Sequence, residues 1–326
     1  MAKLAHWKRI RVTPAIFLML ALIPLTRIPS YQFYILERGL QNVLVVLSLV
    51  VLLGYTGQLS LGQAGLVAVG AYTYGILCVN FGISPWIGLL AAPLAAGLVG
   101  LILGFPSFKL KGPFLVVNTI AFSEIVRILI LNNENFTGGP FGLNRIPTLF
   151  DGLPLYYFML VIAFLAAIGT LRLSRSYIGL AFKAIREDEI AAESMGVHVR
   201  NYKLLAFVIS SVLAGLSGVF FANMAGYLNP DSFTFNESST YLLMVVLGGM
   251  SNVAGGILSS LAVTSLPEAL RFMARSRMVV YSIILLIMLR YTKVLEIEHL
   301  RRLVRRLRPV ATATPAPAAE RNEVDV

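Results

Sequence analysis

Charged side chains are scarce in this sequence. They account for 13% of the 326 residues, whereas 57% are hydrophobic, and a soluble domain would carry about twice as much charge. The apolar residues form long blocks, for example 42–53 and 278–289, and polar or Gly- and Pro-rich joints separate the blocks. This composition excludes an ordinary soluble globular domain and is typical of a membrane protein.

The sequence also gives little support for a metal site or a disulfide. The single cysteine, Cys78, lies in an apolar segment and has no second cysteine in the chain to pair with, so packing is the expected role of its thiol. The three histidines, His6, His198 and His299, are far apart in the sequence. Because a structural or catalytic metal needs a cluster of such ligands, we expect no metal site.

Familiar catalytic motifs are missing too. The sequence contains no G-x-x-x-x-G-K-[ST] phosphate loop, no H-E-x-x-H and no G-x-S-x-G, so we expect no catalytic residues and no cofactor on this chain. Acidic residues inside the apolar blocks are few, and an ion-driven carrier usually needs buried carboxylates for its coupling ion. The chain therefore has the features of a transport pathway without its own source of energy, and not those of an enzyme.

The apolar blocks predict an all-α fold. A helix needs roughly 20 mostly apolar residues to cross the hydrocarbon core, and only helices satisfy the backbone polar groups of such continuous segments within lipid. We predict a polytopic membrane protein with about ten transmembrane helices, some of them short or broken. The predicted spans are 12–29, 37–53, 61–79, 85–105, 113–131, 153–171, 204–226, 238–250, 253–270 and 278–292.

Basic residues are concentrated in alternate connecting segments, as the positive-inside rule requires. If every span crosses, the cytoplasmic segments include 172–203, with six Lys and Arg residues, and the tail run RRLVRRLR. This pattern accounts for the formal net charge of +11, and we expect no nucleic-acid partner. It predicts a transmembrane domain over 1–292, a basic cytoplasmic tail over 293–326 that is disordered from about residue 310, and cytoplasmic termini.

The longest predicted cytoplasmic loop, 172–203, carries an unusual amount of charge for this chain. Lys183 and Glu187 are spaced i, i+4, and Arg186 and Glu189 are spaced i, i+3, which favours a helix with paired charges. The small residues Ala191, Ala192 and Gly196 would leave a smooth surface on which another protein can pack closely. The alternative interpretation is a solvated loop that only connects two spans. The residues of interest here are Lys183, Arg186, Glu187, Glu189, Ala191, Ala192 and Gly196.

Several stretches of the sequence together resemble one family of transporters. The loop sequence AIREDEIAAESMGVHVRNYKLLAF is similar to the cytoplasmic loop of ABC importer permeases, and in particular to the M-type permease subunit of branched-chain amino-acid importers. Supporting stretches resemble other parts of the same family in the same order along the chain. They are GYTGQLSLGQAGLVAVGAY (54–72), LKGPFLVVNTIAFSEIVR (110–127), TGGPFGLNRIP (137–147) and MVVLGGMSNVAGGILSSLAVTSLPEALR (244–271).

The resemblance implies a bacterial inner-membrane protein that works as one subunit of an importer. Its expected partners are a second homologous permease subunit, two ABC ATPase subunits that hydrolyse ATP, a periplasmic solute-binding protein and the lipid bilayer. A short coupling helix within 172–203 would dock on an ATPase subunit. The sequence departs from the family pattern at Ile190, where the loop motif has Glu, and at Gln63, where the family often has His.

The sequence leaves two points open, namely the solute and the class of transporter. Branched-chain or other amino acids are the expected solutes, but urea and short amides are carried within the same subfamily, and sugar permeases share a related plan. A stand-alone channel or secondary carrier is the alternative from another class, although it would not need an ATPase dock.

Polar residues in the spans give a candidate substrate pathway. Such groups also bond simply to neighbouring helices in many membrane proteins. The pathway residues expected are Gln58, Ser60, Gln63, Asn118, Ser123 and Glu124.

Overall fold

The computed structural model describes residues 13–22, 24, 30–107, 112–150, 152–269, 282 and 286. These residues are helical or lie in turns and connections, and they include one isolated antiparallel bridge between Leu143 and Leu228. The chain divides into two compact units, residues 1–282 and 283–326. The described residues belong almost entirely to the first unit. The predicted tail and nearly all of the predicted span 278–292 lie outside the described residues.

Twelve helices follow one another in the described residues. Five of them have at least 18 residues and are apolar enough to cross a membrane. These five are Tyr31–Tyr55, Pro85–Pro106, Pro113–Asn132, Leu153–Leu173 and Val199–Ala225. The first of the five ends in a π-helical segment, Val50–Tyr55, and 3₁₀ turns occur at Gly139–Phe141 and Pro230–Ser232. The helices are α1 (Thr13–Leu22), α2 (Ser30–Leu49), α3 (Gln63–Val79), α4 (Pro85–Ser107), α5 (Pro113–Asn132), α6 (Glu134–Thr137), α7 (Leu153–Leu173), α8 (Tyr177–Glu187), α9 (Glu189–Ser194), α10 (Val199–Ala225), α11 (Phe235–Gly248) and α12 (Val253–Ala269).

The predicted all-α membrane fold is therefore confirmed in its class. The predicted spans 85–105, 113–131 and 153–171 lie within α4, α5 and α7. The count of ten crossings stays a prediction, because some of the other helices are shorter than a full crossing and the last predicted span is almost wholly outside the described residues.

Helix α2 forms the centre of the first unit. Every residue from Gly39 to Thr56 is buried, and α2 packs against α3, α7, α10, α11 and α12. The outer helices α4, α5 and α7 instead expose large apolar side chains, which is the expected surface for contact with lipid. Examples of these exposed side chains are Leu90, Leu94, Ile102, Val117, Leu129, Val161 and Leu165.

Polar side chains on α2 donate hydrogen bonds to the helices around it. Gln41 Nε2 donates to Ser217 Oγ of α10 at 2.6 Å, and Asn42 Nδ2 donates to Thr264 Oγ1 of α12 at 2.8 Å. An unpaired polar group would be costly in an apolar interior. These bonds therefore fix the rotation of α2 about its own axis relative to α10 and α12.

Helix α3 begins inside the bundle. Residues 57–62 turn back after the end of α2, and Gln63, the first residue of α3, accepts a hydrogen bond from Ser48 at 3.2 Å. Since Ser48 precedes Tyr55 by seven residues, α3 begins roughly 10 Å back along α2 at 1.5 Å per residue. The Ala64 N–H then donates to Ser238 Oγ of α11 at 3.0 Å. Helices that begin within a bundle in this way are a common feature of transport proteins.

Close contact between α3 and α10 depends on glycine. A Cβ atom on Gly218 of α10 would lie 2.6 Å from the backbone nitrogen of Ala71, and one on Gly70 of α3 would overlap the backbone of Gly215. Small residues at such crossings let two helix backbones approach within van der Waals contact. Gly169 of α7, by contrast, has open space where its Cβ would be.

We expect Gly218→Leu to disrupt the fold, because the added side chain would separate α3 from α10. Overpacking of this kind costs about 1–3 kcal/mol or more. Thermal unfolding of the detergent-solubilised protein, followed by size-exclusion chromatography, measures the effect. Gly169→Leu is the matched control and should leave the melting temperature nearly unchanged. Equal stability of the two variants would contradict the α3–α10 packing described above.

Candidate functional site

The charged loop folds into two helices at one end of the bundle. Helix α8 begins after Ser176, whose Oγ accepts from the Gly179 N–H at 3.2 Å. It ends at Asp188, which has an extended backbone and caps α9 by accepting from the N–H groups of Ile190 and Ala191 at 2.8 and 3.1 Å. An aspartate at this position is a strong helix start signal.

The break at Asp188 changes the charge pairing that the sequence predicts. Arg186 and Glu189 lie on different helices, so the predicted helical i, i+3 geometry does not exist and that prediction is wrong. Lys183 Nζ donates to the backbone oxygen of Ser174 at 2.7 Å. Lys183 therefore ties α8 to the segment that follows α7.

Arg186 connects α8 to two membrane elements. Its guanidinium donates to the backbone oxygen of Gly54 at 2.6 Å and to Ser251 Oγ in the turn between α11 and α12. Ser251 Oγ also donates to Gly54 O at 2.7 Å. Gly54 lies against the backbone of Met250, where a side chain would not fit. We call this cluster of Arg186, Gly54 and Ser251 the arginine joint.

Glu189 connects α9 to the start of α10. Lys203 Nζ lies 2.5 Å from Glu189 Oε1, and the side chains are 5% and 32% exposed, respectively. A buried ammonium without a partner would be strongly unfavourable. The pair therefore holds the first residue of α9 against a helix that is long and apolar enough to cross the membrane.

Part of α9 faces outward with apolar side chains. Ile190 is 72% exposed and Met195 is 85% exposed. Ala191 and Gly196 are exposed beside them, and Gly196 has a positive φ of 85°, a conformation that favours glycine. Ala192, which the sequence analysis assigned to the same smooth surface, is buried within the chain. We call Ile190, Ala191, Met195 and Gly196 the α9 surface.

A first cavity lies beneath α8. Its volume is about 480 Å³. The basic side chains of Arg175, Lys183 and Arg186 line it together with Glu187. The remaining lining residues come from the start of α1, the continuation of α2, the end of α7, the α11–α12 turn and the start of α12, so the cavity belongs to the same end of the bundle as the arginine joint. These residues are Thr13, Gly54, Tyr55, Leu171, Ser174, Ser251, Asn252, Val253 and Ala254.

A second cavity, of about 550 Å³, lies beside the first turn of α5. We call it the α5 pocket. Gln58 is buried here, and its Nε2 donates to Thr56 Oγ1 at 3.0 Å. The Lys203–Glu189 ion pair also lines the α5 pocket. The lining residues are Thr56, Gly57, Gln58, Leu59, Gly112, Pro113, Leu115, Val116, Val117, Glu189 and Lys203.

The other predicted pathway residues are not all in one place. Gln63 is buried deeper in the bundle, where its Nε2 donates to Ser210 Oγ at 3.1 Å, and Ser60 Oγ accepts from the Gly62 N–H at 3.2 Å. On α5, Ser123 is buried and Asn118 is half-buried. None of these four lines either cavity.

Glu124 belongs to a charged group further along α5. Its Oε1 pairs with Arg127 at 2.7 Å, as the i, i+3 spacing predicts. Arg127 also pairs with Asp231 at 3.1 Å. This group includes the connection between α10 and α11, which the sequence analysis did not link to α5.

Sequence reasoning missed two residues of the site. Lys203 was counted only as a basic residue of the loop, although a lysine beside a long apolar segment is itself a signal of a buried partner. Ser251 carried no signal, because its role depends on the approach of the α11–α12 turn to Gly54.

Comparison with known proteins identifies the family. The family model described as branched-chain amino acid transport system / permease component matches residues 31–289. The chain belongs to this family of transport permeases. The permeases of this family are transport components rather than enzymes, and with the apolar helices they indicate a protein of the inner membrane.

Individual relatives agree with the family. The permease protein LivM of the high-affinity branched-chain amino acid transport system of Escherichia coli is 39% identical over 259 residues, covering 70% of this chain and 61% of the relative. A probable LivM of Methanocaldococcus jannaschii is 27% identical, covering 70% of this chain and 79% of the relative. The guanosine ABC transporter permease NupQ of Bacillus subtilis is 27% identical over 52% of this chain and 59% of the relative.

These matches cover only part of the relatives. The chain spans about three fifths of the length of the first LivM relative, since 61% of that protein is covered. No solved structure matches the chain.

We expect Arg186→Ala to loosen α8 from the membrane helices. The variant loses charge-assisted hydrogen bonds to Gly54 and Ser251, and such bonds contribute about 1.5–3 kcal/mol each. Amide hydrogen exchange in α8 should therefore become about tenfold faster or more. Tyr177→Ala is the control, because this side chain of α8 is 91% exposed, and it should leave the exchange of α8 nearly unchanged. Unchanged exchange in the Arg186 variant would show that the arginine joint does not hold α8.

Proposed function

We propose that this chain is one of two membrane subunits of a bacterial ABC importer that moves branched-chain amino acids into the cell. ATP hydrolysis takes place on two separate ATPase subunits, and a periplasmic binding protein delivers the solute. The single observation that carries the proposal is the α9 surface, an exposed apolar patch at the tip of a short helix in an otherwise charged loop. Exposed apolar side chains of this kind mark a surface that a protein partner covers.

The α9 surface has the chemistry of a dock for an ATPase subunit. Ile190 and Met195 project outward, and the neighbouring Ala191 and Gly196 leave room for close approach. Helix α9 is not free to move by itself, because Glu189 is paired with Lys203 and α8 is held by Arg186. A push on α9 is therefore passed to α10, the end of α2 and the α11–α12 turn as a rigid-body motion.

This assignment places the α8–α9 end of the bundle in the cytoplasm. It agrees with the positive charge of residues 172–203 and with the positive-inside rule. About ten crossings over residues 1–292, followed by a cytoplasmic tail over 293–326, then put both termini on the same side. The second permease subunit would be a homologous chain that packs beside this one to complete the transport path.

Branched-chain amino acids are the favoured solutes. The relatives named for branched-chain amino acid transport include one at 39% identity, whereas the permease named for guanosine is 27% identical over a smaller share of this chain. The buried surface of the bundle is mainly aliphatic with a few polar groups, and such a path suits an aliphatic solute that carries polar ends.

The test is made on the assembled importer. We expect Ile190→Asp and Met195→Asp to reduce co-purification of the ATPase subunits at least tenfold, because a carboxylate would be buried without a partner in the interface. Leucine uptake into proteoliposomes that depends on the binding protein should fall in proportion.

Matched controls separate docking from folding. Ile190→Val and Met195→Leu keep apolar side chains and should retain both ATPase binding and uptake. Full coupling in the aspartate variants would refute the α9 surface as the dock. Uptake of urea without uptake of leucine by the unaltered importer would replace the amino acid with a short amide as the solute.

A further inference from the structure

The α5 pocket contains a free hydrogen-bond acceptor in a buried position. Gln58 is 5% exposed, and its Oε1 has no hydrogen-bond partner among the residues that the structure describes. The orientation of the amide is fixed by its neighbour. Thr56 donates its hydroxyl proton to Leu52 O, so Thr56 Oγ1 can only accept from Gln58, and the amide nitrogen must face it. The oxygen of Gln58 is left as an acceptor for a ligand.

One wall of the α5 pocket is positive. Helix α5 begins there with Gly112 and Pro113, and the N-cap residue, Gly112, has no side chain with which to cap the first turn. The N–H groups and the dipole at such a helix start favour an anion. Lys203, which is almost fully buried, adds a formal positive charge to the same pocket. A carboxylate is the small anionic group that both features would accept.

The pocket also carries a negative charge and an apolar wall. Glu189 lines it beside Lys203, and Gln58 Oε1 adds a neutral acceptor, so an ammonium group has two acceptors there. Leu59, Leu115 and Val116 supply the aliphatic part of the lining. A volume of about 550 Å³ is within the range of pockets that hold small ligands.

We propose that the α5 pocket binds a free α-amino acid with an aliphatic side chain. The carboxylate is held at the start of α5 and Lys203, the ammonium at Gln58 and Glu189, and the side chain against the leucines and valines. This inference rests on the proposed function and identifies a site for its solute at the α8–α9 end of the bundle. The pocket is the last binding position before release, and its occupancy is linked to α9 because Glu189 belongs to both.

The experiment measures binding of tritiated L-leucine to the complete importer in lipid nanodiscs, without nucleotide and without the binding protein. Unlabelled L-leucine should compete with the tritiated L-leucine for the site. L-leucinamide, which lacks the carboxylate, and 4-methylpentanoate, which lacks the ammonium, should each compete at least tenfold more weakly. Urea, which has neither charged group, should not compete.

Variants assign the binding to this pocket rather than to another part of the complex. Gln58→Met keeps the size of the side chain, removes the acceptor and should weaken leucine binding about tenfold. Gln32→Met, at an exposed glutamine near the start of α2, should leave it unchanged. The double variant Glu189→Lys, Lys203→Glu keeps an ion pair but exchanges the charges, and it should also lose leucine affinity.

The possible results separate this inference from the proposed function. Two results would overturn the pocket and leave the importer assignment intact, provided that leucine is taken up in the presence of the binding protein. One is no leucine binding. The other is unaltered leucine binding in the Gln58 variant and in the exchanged-charge variant. An importer that takes up a different solute, and that neither takes up nor binds leucine, would overturn both. Binding that depends on Gln58 and on both charged ends of leucine supports the pocket.

Discussion

The burial of α2 from Gly39 onward, together with its continuation to Thr56, is the constraint on which the rest of the structure depends. A helix that is surrounded by other helices cannot leave a polar group facing lipid or water, so each polar side chain on it must find a partner in the chain. Gln41, Asn42 and Ser48 donate hydrogen bonds to α10, α12 and α3, respectively. The same bonds set the positions of these three helices, and glycines at the α3–α10 crossing then allow the backbones to meet.

The C-terminal end of α2 belongs both to the core of the bundle and to the region of the proposed function. Its π-helical segment brings Gly54 to the α11–α12 turn, and Arg186 binds the backbone oxygen exposed there. Wider helical turns of this type leave backbone groups available and are frequent at functional sites. As a result, α8 is attached to the central helix of the bundle rather than to a peripheral one, and any movement of the charged loop acts directly on the core.

The Lys203–Glu189 pair gives the charged loop a second attachment with a different consequence. It lines the α5 pocket as well as fixing α9, so one pair of charges supports both the proposed dock and the proposed solute site. An ion pair is suited to such a shared role, because its charges can be paired with each other or with a zwitterionic ligand without leaving a buried charge unpaired. An apolar contact at this place could hold α9 but could not respond to a ligand.

The sequence by itself determined the class of fold, the places of most long helices and the charged loop, because apolar block length and charge distribution act locally along the chain. The resemblance of several of its stretches to a known family indicated the family. The sequence also identified Gln58, Glu189 and Arg186 as residues of interest. It did not determine their partners: the capping of α9 by Asp188 separates Arg186 from Glu189, and Ala192 turns inward while Ile190 turns outward. Only the tertiary structure decided that Lys203 and the start of α5 lie beside Gln58, since contacts between residues more than 50 positions apart depend on how the helices pack and not on any local pattern.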